Sequence, residues 1–228
     1  MSLYVIGDTH LSFGADKSME VFGGRWENYV QKLLDGFSTV RPEDTTVICG
    51  DLSWGMNLEQ AREDFLFLHR LPGRKVILKG NHDYWWTTAS KAYHFFEENG
   101  IDSIEILNNN CRFYGEVALC GTRGWFYEEE RGGEHDRKML SRELLRLEAS
   151  LKAAGEAEKL VFLHYPPKLK TYECTEIIEL LLAYGVRRCW YGHLHSGARR
   201  LAWEGDWRGV AFELISADHL NFIPKKIL

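Results

Sequence analysis

The segment KVILKGNHDYWW, residues 75–86, joins a short strand-like run to a cluster of polar residues. The run Lys75–Leu78 predicts a buried strand, because it is short, apolar after its first residue and followed by glycine. Asn81, His82 and Asp83 then place an amide, an imidazole and a carboxylate directly after that strand. In open α/β sheets, ligands bind beyond the carboxyl ends of the strands. The segment therefore predicts both a strand and one edge of a site.

Four other predicted strands also end in polar residues. These strands and the residues that follow them are Leu3–Gly7 with Asp8 and His10, Thr45–Cys49 with Asp51, Leu160–Leu163 with His164, and Val186–Tyr191 with His193 and His195. Side chains two positions apart lie on the same side of an extended chain, which suits the Asp-x-His and His-x-His pairs. Carboxylates, imidazoles and an amide without a thiolate suit Mn²⁺, Fe²⁺ or Fe³⁺, or Zn²⁺. Each piece alone is common, but five in succession predict a metal centre.

The rest of the chain alternates short apolar runs with helical patterns, which predicts a layered α/β or α+β domain. A length of 228 residues suits one domain, 1–228, with an inserted loop and helix at about 122–155. Phe113–Cys120 is predicted as one strand. Arg199–Trp203 and Gly209–Ile215 are predicted to form a terminal hairpin.

The composition indicates which classes of partner and which cellular compartment to expect. The formal net charge is -5 and the basic residues form no long block, so the sequence does not favour nucleic acid. The acidic run at 128–130 would repel polyanions if it lay over the site. Five scattered cysteines, without a C-x-x-C pair, are expected to be reduced thiols. With neither a leader nor a membrane span recognisable in the sequence, we expect a cytoplasmic protein; the oligomeric state is left open.

The succession D-x-H, G-D, G-N-H-D, H and G-H-x-H, from Asp8 to His195, resembles the calcineurin-like metallophosphoesterase superfamily, and within it the bacterial-type G-N-H-D members. That resemblance implies a four-layer α/β/β/α sandwich of two packed mixed sheets flanked by helices, with a two-metal centre. It also implies a role for each matching residue. The first metal would be held by Asp8, His10 and His195, the second by Asn81, His164 and His193, and Asp51 would bridge both.

The resemblance further implies a mechanism, in which a metal-bridging hydroxide attacks phosphorus in line. His82 would act on the phosphate without binding metal. Asp83 would orient His82, although a turn or helix-cap role for Asp83 also fits the sequence. The text after Asp51, LSWG, lacks the arginine that protein serine/threonine phosphatases carry there. Trp54 occupies the position of the tyrosine ligand of purple acid phosphatases, and an indole N–H can only donate a hydrogen bond.

Signals for the substrate are fewer. Arg123 could bind a phosphate or carboxylate, or could form a structural salt bridge. Trp54 and Trp125 follow predicted strand ends and could line a pocket or pack in the core. We expect a dinuclear-metal phosphoesterase for a small phosphomonoester or phosphodiester. The alternatives are a cyclic-nucleotide phosphodiesterase or nuclease and, from another class, a non-catalytic scaffold of the same fold.

Overall fold

The structure, a computed structural model, describes residues 1–125 and 133–228. One sheet contains five of the described strands: Leu3–Ile6 (β1), Thr45–Cys49 (β2), Arg74–Leu78 (β3), Ile104–Ile106 (β4) and Lys225–Lys226 (β11). Their order across the sheet is β11-β1-β2-β3-β4. β1 to β4 run parallel, and β11 is an antiparallel edge. The carboxyl ends of β1, β2 and β3 therefore lie side by side.

The second sheet contains six described strands: Cys111–Tyr114 (β5), Val117–Thr122 (β6), Lys159–Leu163 (β7), Arg188–Tyr191 (β8), Gly205–Trp207 (β9) and Val210–Leu214 (β10). Their order is β5-β6-β7-β8-β10-β9. The four central strands are parallel, and β5 and β9 are antiparallel edges. β7 and β8, which precede the predicted ligands of this half of the chain, are neighbours.

Five α-helices occur among the described residues: Tyr29–Phe37 (α1), Arg62–Arg70 (α2), Ala89–Glu98 (α3), Glu134–Ala153 (α4) and Thr175–Ala183 (α5). The start of α3 is fixed by Thr88, whose Oγ1 accepts a hydrogen bond from the Lys91 N–H at 3.2 Å. No helix in the described ranges has both the length and the apolarity needed to cross a membrane.

The side chains of the parallel strands alternate between two apolar layers. Along β1, Val5 packs between the two sheets, whereas Ile6 packs against the helices on the outer face. Phe37 of α1 and Phe65 of α2 belong to that outer core, and Ile178 of α5 belongs to the corresponding core outside the second sheet. Because both faces of each sheet are covered, the central strands are apolar on both sides. This arrangement confirms the four-layer α/β/β/α sandwich.

Two predicted strands differ from the structure. Phe113–Cys120 is not one strand: the chain reverses at Gly115, which has φ +57°, so that Tyr114 pairs with Val117. Arg199–Trp203 is not a strand either, since Ser196–Leu201 form a 3₁₀ helix and the hairpin is made by β9 and β10. The first error missed a local turn of two residues between apolar segments, and the second arose because apolar composition does not distinguish a strand from a short helix that is held by contacts elsewhere in the chain.

The inserted segment is described only in part. α4 packs Leu147 and Leu151 into the core beneath the second sheet. Residues 126–132, which include the acidic run at 128–130, lie outside the described residues.

The ends of β2 and β3 approach too closely to admit a side chain at residue 80. A Cβ atom on Gly80 would lie 2.1 Å from the Asp51 Oδ1 atom and 2.3 Å from the Asp51 backbone nitrogen. Gly192 is similarly confined, because its Cβ would lie 2.6 Å from the Asp8 Oδ2 atom. These two glycines let the backbone pass directly beside the carboxylates of the predicted metal centre.

We expect Gly80→Ala to lower the free energy of unfolding by about 1–3 kcal/mol, because the added methyl group displaces Asp51 or the chain before Asn81. Urea denaturation measures this change. Gly133→Ala is the matched control: no atom lies within 4 Å of a Cβ at this position, so a change below about 0.5 kcal/mol is expected. Equal stability of the two variants would contradict the close approach.

Candidate metal centre

Asp51 lies at the centre of the predicted site, directly after β2. Its Oδ1 atom accepts a hydrogen bond from the His82 N–H at 2.7 Å. Its Oδ2 atom is buried and has no hydrogen-bond partner, yet it lies 3.7 Å from His10 Nε2 and 3.5 Å from His164 Nε2. One carboxylate oxygen therefore lies between imidazoles from two different sheets.

The carboxylate of Asp51 belongs to two groups of candidate ligands. Asp8, His10 and Asp51 each offer one ligand atom, and these atoms lie within 4.8 Å of one another. Asp51, His164 and His193 form a second group by the same measure. The structure thus brings residues from four strand ends into two groups that share Asp51.

Asn81 and His195 complete this cluster. The Asn81 Oδ1 atom lies 2.6 Å from His164 Nε2 and 2.9 Å from His193 Nδ1. The ring of His195 lies 5.2 Å from the ring of His10, measured between centroids. All seven residues predicted as ligands are therefore neighbours; their binding of metal remains a prediction.

The donor atoms of this cluster fit a cation. His164 Nδ1 lies 3.0 Å from the carbonyl oxygen of Cys49, and because that oxygen can only accept, Nδ1 carries the proton. His164 Nε2 then presents a lone pair to the Asn81 oxygen, an arrangement that is repulsive unless a positive charge lies between them. Both ring nitrogens of His10 are buried without a hydrogen-bond partner. Buried polar atoms without partners are costly, and a bound metal ion would satisfy one ring nitrogen of His10 together with Asp51 Oδ2.

Burial keeps the imidazoles in the form that binds metals. It lowers the pKa of His164 to about 3 and that of His193 to about 2, so both rings are neutral at neutral pH. Burial also raises the pKa of Asp51 to about 6, and burial together with the neighbouring charge of Asp51 raises the pKa of Asp8 well above its ordinary value. Two buried carboxylates side by side favour a cation between them.

Four predicted ligands have a left-handed backbone. The φ angles are 55° for Asp8, 45° for His10, 49° for Asp51 and 70° for His193. Such a conformation costs a non-glycine residue on the order of 1–3 kcal/mol and is concentrated at functional sites. Hydrogen bonds hold it here: the Asp8 N–H donates to Gly50 O at 3.0 Å, and the His10 N–H donates to Asp51 O at 2.9 Å.

The cluster also joins the two sheets. The Asp8 carboxylate, after β1, accepts hydrogen bonds from the His193 N–H, after β8, at 3.0 and 2.9 Å. The Gly7 N–H donates to the carbonyl of Ile215, directly after β10, at 2.7 Å. The predicted metal centre is therefore built at the junction of the sheets.

Asp218 supports this junction and was not predicted from the sequence. Its carboxylate is buried, accepts a hydrogen bond from the Ser196 N–H at 2.7 Å, and lies 3.3 Å from Arg199 Nε. Burial lowers the pKa of His195, and the negative charge of Asp218 opposes that shift. Asp218 lies three residues after the predicted strand Gly209–Ile215 but belongs to none of the five motifs, and its position after a strand end is the signal that could have indicated it.

His82 and Asp83 are neighbours in the sequence but face different partners. His82 lies beside Trp54, with 4.6 Å between ring centroids, and its Nδ1 atom lies 3.2 Å from the Tyr84 hydroxyl. Asp83 instead accepts hydrogen bonds from the backbone N–H groups of Leu52 and Gly80, at 2.8 and 2.7 Å. The buried backbone donors of two loops hold the Asp83 carboxylate, and no hydrogen bond among the described residues joins it to the His82 ring. These contacts favour the turn role that the sequence left open for Asp83.

The two tryptophans after Asp83 have separate environments. Trp85 is fully buried, donates its indole N–H to Asp83 Oδ1 at 2.8 Å, and packs edge-on against Phe65. Trp86 is only partly buried and lines a cavity of about 510 Å³, which Arg123 also lines. Trp85 is therefore a core residue, whereas Trp86 faces open space.

The three residues predicted to contact the substrate also lie in different environments. Trp54 stacks on His10, with 4.9 Å between ring centroids, and Lys17 Nζ lies 3.4 Å above its ring. Trp125 packs against Tyr165 at 5.7 Å and contacts the core beneath the second sheet. The Arg123 guanidinium lies 5.0 Å from the Trp125 ring and 3.8 Å from a Glu143 oxygen. Trp54 is thus next to the predicted metal ligands, and Trp125 is in the environment of a core residue.

We expect Asp83→Asn to lower the free energy of unfolding by about 1–3 kcal/mol, because an amide has one acceptor oxygen where the carboxylate has two, and its NH₂ group would face an N–H donor. Chemical denaturation measures this effect. Asp102→Asn is the control, since the Asp102 side chain is 94% exposed. A stability of Asp83→Asn equal to that of the control would show that the carboxylate does not hold the two loops.

Known proteins resemble this chain in sequence and in fold. Residues 1–197 match the sequence model of the calcineurin-like phosphoesterases. A search of curated proteins finds no significant match. A crystal structure of a protein of unknown function from Aquifex aeolicus is similar, with 18% identity and a TM-score of 0.55, over 99% of this chain and 95% of that one. A protein from Thermus thermophilus matches with 13% identity and a TM-score of 0.53, over 85% and 81% of the two chains. The structural neighbours share the fold, and the sequence match over most of its length shows that the chain belongs to the calcineurin-like phosphoesterase family.

Proposed function

We propose that this chain hydrolyses a small phosphomonoester or phosphodiester with the help of two metal ions. Its family consists of metal-dependent phosphoesterases, so the reaction class follows from membership. The number of metals and the size of the substrate are the proposal. The observation that carries it is the position of Asp51 in both groups of candidate ligands. A carboxylate shared in this way is suited to bridge two cations.

The residues divide into two sets around that carboxylate. Asp8, His10 and His195 would hold one ion, and Asn81, His164 and His193 would hold the other. Bound together, two such ions supply Lewis acidity and an activated water for attack on phosphorus. Mn²⁺, Fe²⁺ or Fe³⁺, and Zn²⁺ all suit a set of carboxylate, imidazole and amide donors.

His82 is the group of this chain that would act on the phosphate itself. Its ring is half-buried, faces Trp54, and belongs to neither group of candidate ligands. Burial lowers the pKa of His82, while the negative charge of Asp51 opposes that shift. A protonated His82 would stabilise the developing charge and pass its proton to the leaving oxygen. The Tyr84 hydroxyl, 3.2 Å from Nδ1, would orient the ring in place of Asp83.

Among the alternatives, the size of the adjoining space favours a small substrate. The cavity lined by Arg123 and Trp86 has about 510 Å³, a volume typical of small-molecule sites. A nuclease is better served by an extended basic groove. The complete set of candidate ligands argues against a non-catalytic scaffold. We also propose a cytoplasmic location, because all five cysteines are free and four of them are buried.

We expect Asp51→Asn to lower kcat/KM at least about 100-fold, because it removes a negative charge that both metal sites share. The measurement uses p-nitrophenyl phosphate and its bis-ester with Mn²⁺, Fe²⁺ or Zn²⁺, together with the metal content of the protein. Asp44→Asn is the matched control: Asp44 is also buried, but it accepts hydrogen bonds from Ser2 and Arg41 in another part of the chain. Activity of Asp51→Asn equal to wild type, with or without metal, would refute the two-metal proposal.

We expect His82→Ala to lower kcat about 100-fold while the metal content stays at the wild-type level, since a general acid contributes on this order and the ring is no ligand. Steady-state kinetics and elemental analysis of the same sample separate the two effects. Tyr84→Phe should lower kcat less, because it removes only the hydroxyl partner of His82. Loss of metal from His82→Ala would assign the ring to the metal site instead.

A further inference from the structure

A cavity of about 510 Å³ is lined by residues from the ends of β3 and β6, the start of α3, and α4. Two of these residues lie next to predicted metal ligands: Lys79 precedes Asn81 by two positions, and the Arg123 carbonyl accepts a hydrogen bond from the His164 N–H. The described residues that give it its chemical character are Lys79, Arg123, Arg146, Glu143, Trp86 and Thr88. None of them was predicted as a metal ligand. The cavity is therefore a separate compartment next to the centre.

The charge of its described lining is positive. Three cationic side chains, from Lys79, Arg123 and Arg146, face one carboxylate, that of Glu143. Glu143 is 1% exposed and is already occupied, since its Oε2 atom accepts from Thr122 Oγ1 at 2.6 Å and its Oε1 atom accepts from Arg146 Nη1 at 2.5 Å. Lys79 forms no ion pair with any described residue. Positive charge in this wall thus exceeds what Glu143 can balance.

Arg123 is held at the border between the cavity and the metal centre. Its backbone carbonyl accepts hydrogen bonds from the N–H groups of His164 at 3.2 Å and Tyr165 at 2.8 Å. Its Nε atom is buried without a hydrogen-bond partner, and its closest contact with a carboxylate among the described residues, from Nη2 to Glu143 Oε1, is a long 3.8 Å. A guanidinium with unused donors is suited to a carboxylate or phosphate ligand.

Lys79, which directly follows β3, lines the cavity and lies close to the metal centre along the chain. It precedes Asn81 by two residues, so their Cα atoms are at most about 7 Å apart. The amino end of α3 also opens on the cavity through Thr88 and Ala89, and helix N-termini favour anions. Trp86 and Leu107 add apolar surface between these charged groups. The cavity can therefore hold an organic skeleton together with an anionic group.

We propose that this cavity binds a second anionic group of the substrate, so that the substrate is a small organic phosphoester that carries another phosphate or a carboxylate. The ester to be cleaved lies at the metal centre, and the second group lies between Lys79, Arg123 and Arg146. This inference rests on the proposed function, because it assigns the far end of the same substrate. Esters without a second anionic group use only half of the site.

The test compares ligands that differ by one anionic group and cannot be hydrolysed. Propylphosphonate, 1,3-propanediphosphonate and 3-phosphonopropanoate are titrated by calorimetry into Mn²⁺-loaded protein. In the wild type, we expect one of the two ligands with a second anionic group to bind at least about tenfold more tightly than propylphosphonate, because charge-assisted hydrogen bonds are added. The preferred ligand tells whether the second group is a phosphate or a carboxylate.

The double variant K79Q/R146Q should lose this preference while its affinity for propylphosphonate and its Mn²⁺ content stay unchanged. Arg142→Gln removes one positive charge from an exposed position of the same helix, outside the cavity, and should keep the preference. The single variants K79Q and R146Q should each lose part of it. A wild type without preference, or a double variant that retains it, overturns the inference.

Hydrolysis of p-nitrophenyl phosphate, measured on the same preparations, separates this inference from the proposed function. Hydrolysis without a preference for the doubly anionic ligands refutes the anion site alone. Suppose instead that the preference is lost in K79Q/R146Q while the wild type hydrolyses neither p-nitrophenyl phosphate nor its bis-ester with Mn²⁺, Fe²⁺ or Zn²⁺. That result supports the anion site and refutes the proposed function.

Discussion

The carboxylate of Asp8 ties the two sheets together at the point where the predicted metal ligands meet. Asp8 follows β1 of the first sheet, and His193 follows β8 of the second sheet. The Asp8 carboxylate accepts hydrogen bonds from the His193 N–H. The backbone bond from Gly7 to Ile215 reinforces the same junction. Because the inter-sheet layer is apolar, this polar contact lies at its edge. The contacts that fix the relative position of the two sheets therefore also fix the distances between the candidate ligands.

Contacts within the chain fix the backbone conformation of the site. Four of its residues have left-handed backbones, and two glycines lie where no Cβ atom fits beside Asp51 and Asp8. Such strain is tolerated because buried backbone hydrogen bonds determine the loops on both sides. Asp83 helps to fix these loops, because its carboxylate accepts hydrogen bonds from backbone N–H groups in the segments after β2 and β3. The donor atoms are thus held close together although several of them repel one another.

Strand ends predict a layered α/β domain with a metal centre, and the resemblance to the family adds the four-layer sandwich and the role of each ligand. An apolar run such as Lys75–Leu78, followed by polar residues, specifies a strand and the edge at which it ends. Contacts between distant segments have no such local signal. The family resemblance paired Asp83 with its neighbour His82, with a turn or cap role as the alternative, whereas hydrogen bonds join its carboxylate to the backbone of Leu52 and Gly80.

The same limit explains most of the other differences. The 3₁₀ helix after His195 depends on Asp218, which is remote from it in sequence. Asp218 is part of the junction between the sheets because it accepts a hydrogen bond from the Ser196 N–H and forms an ion pair with Arg199. The cationic cavity also combines β3, β6 and α4, and no motif links Lys79 with Arg146. Sequence patterns reveal periodicity and motifs. The 3₁₀ helix, the role of Asp218 and the cationic cavity depend on tertiary contacts, which leave no such pattern.

The distribution of the candidate ligands along the chain has a consequence for folding. Asp8 lies near one end of the chain and His195 near the other, and both sheets must form before they meet. Closing so long a loop is slow and entropically costly, and a few ligands on an unfolded chain could not offset that cost. The group of Asp51, His164 and His193 combines the two sheets, so an ion bound by all three requires both sheets to be joined. Such an ion would stabilise the assembled state by mass action.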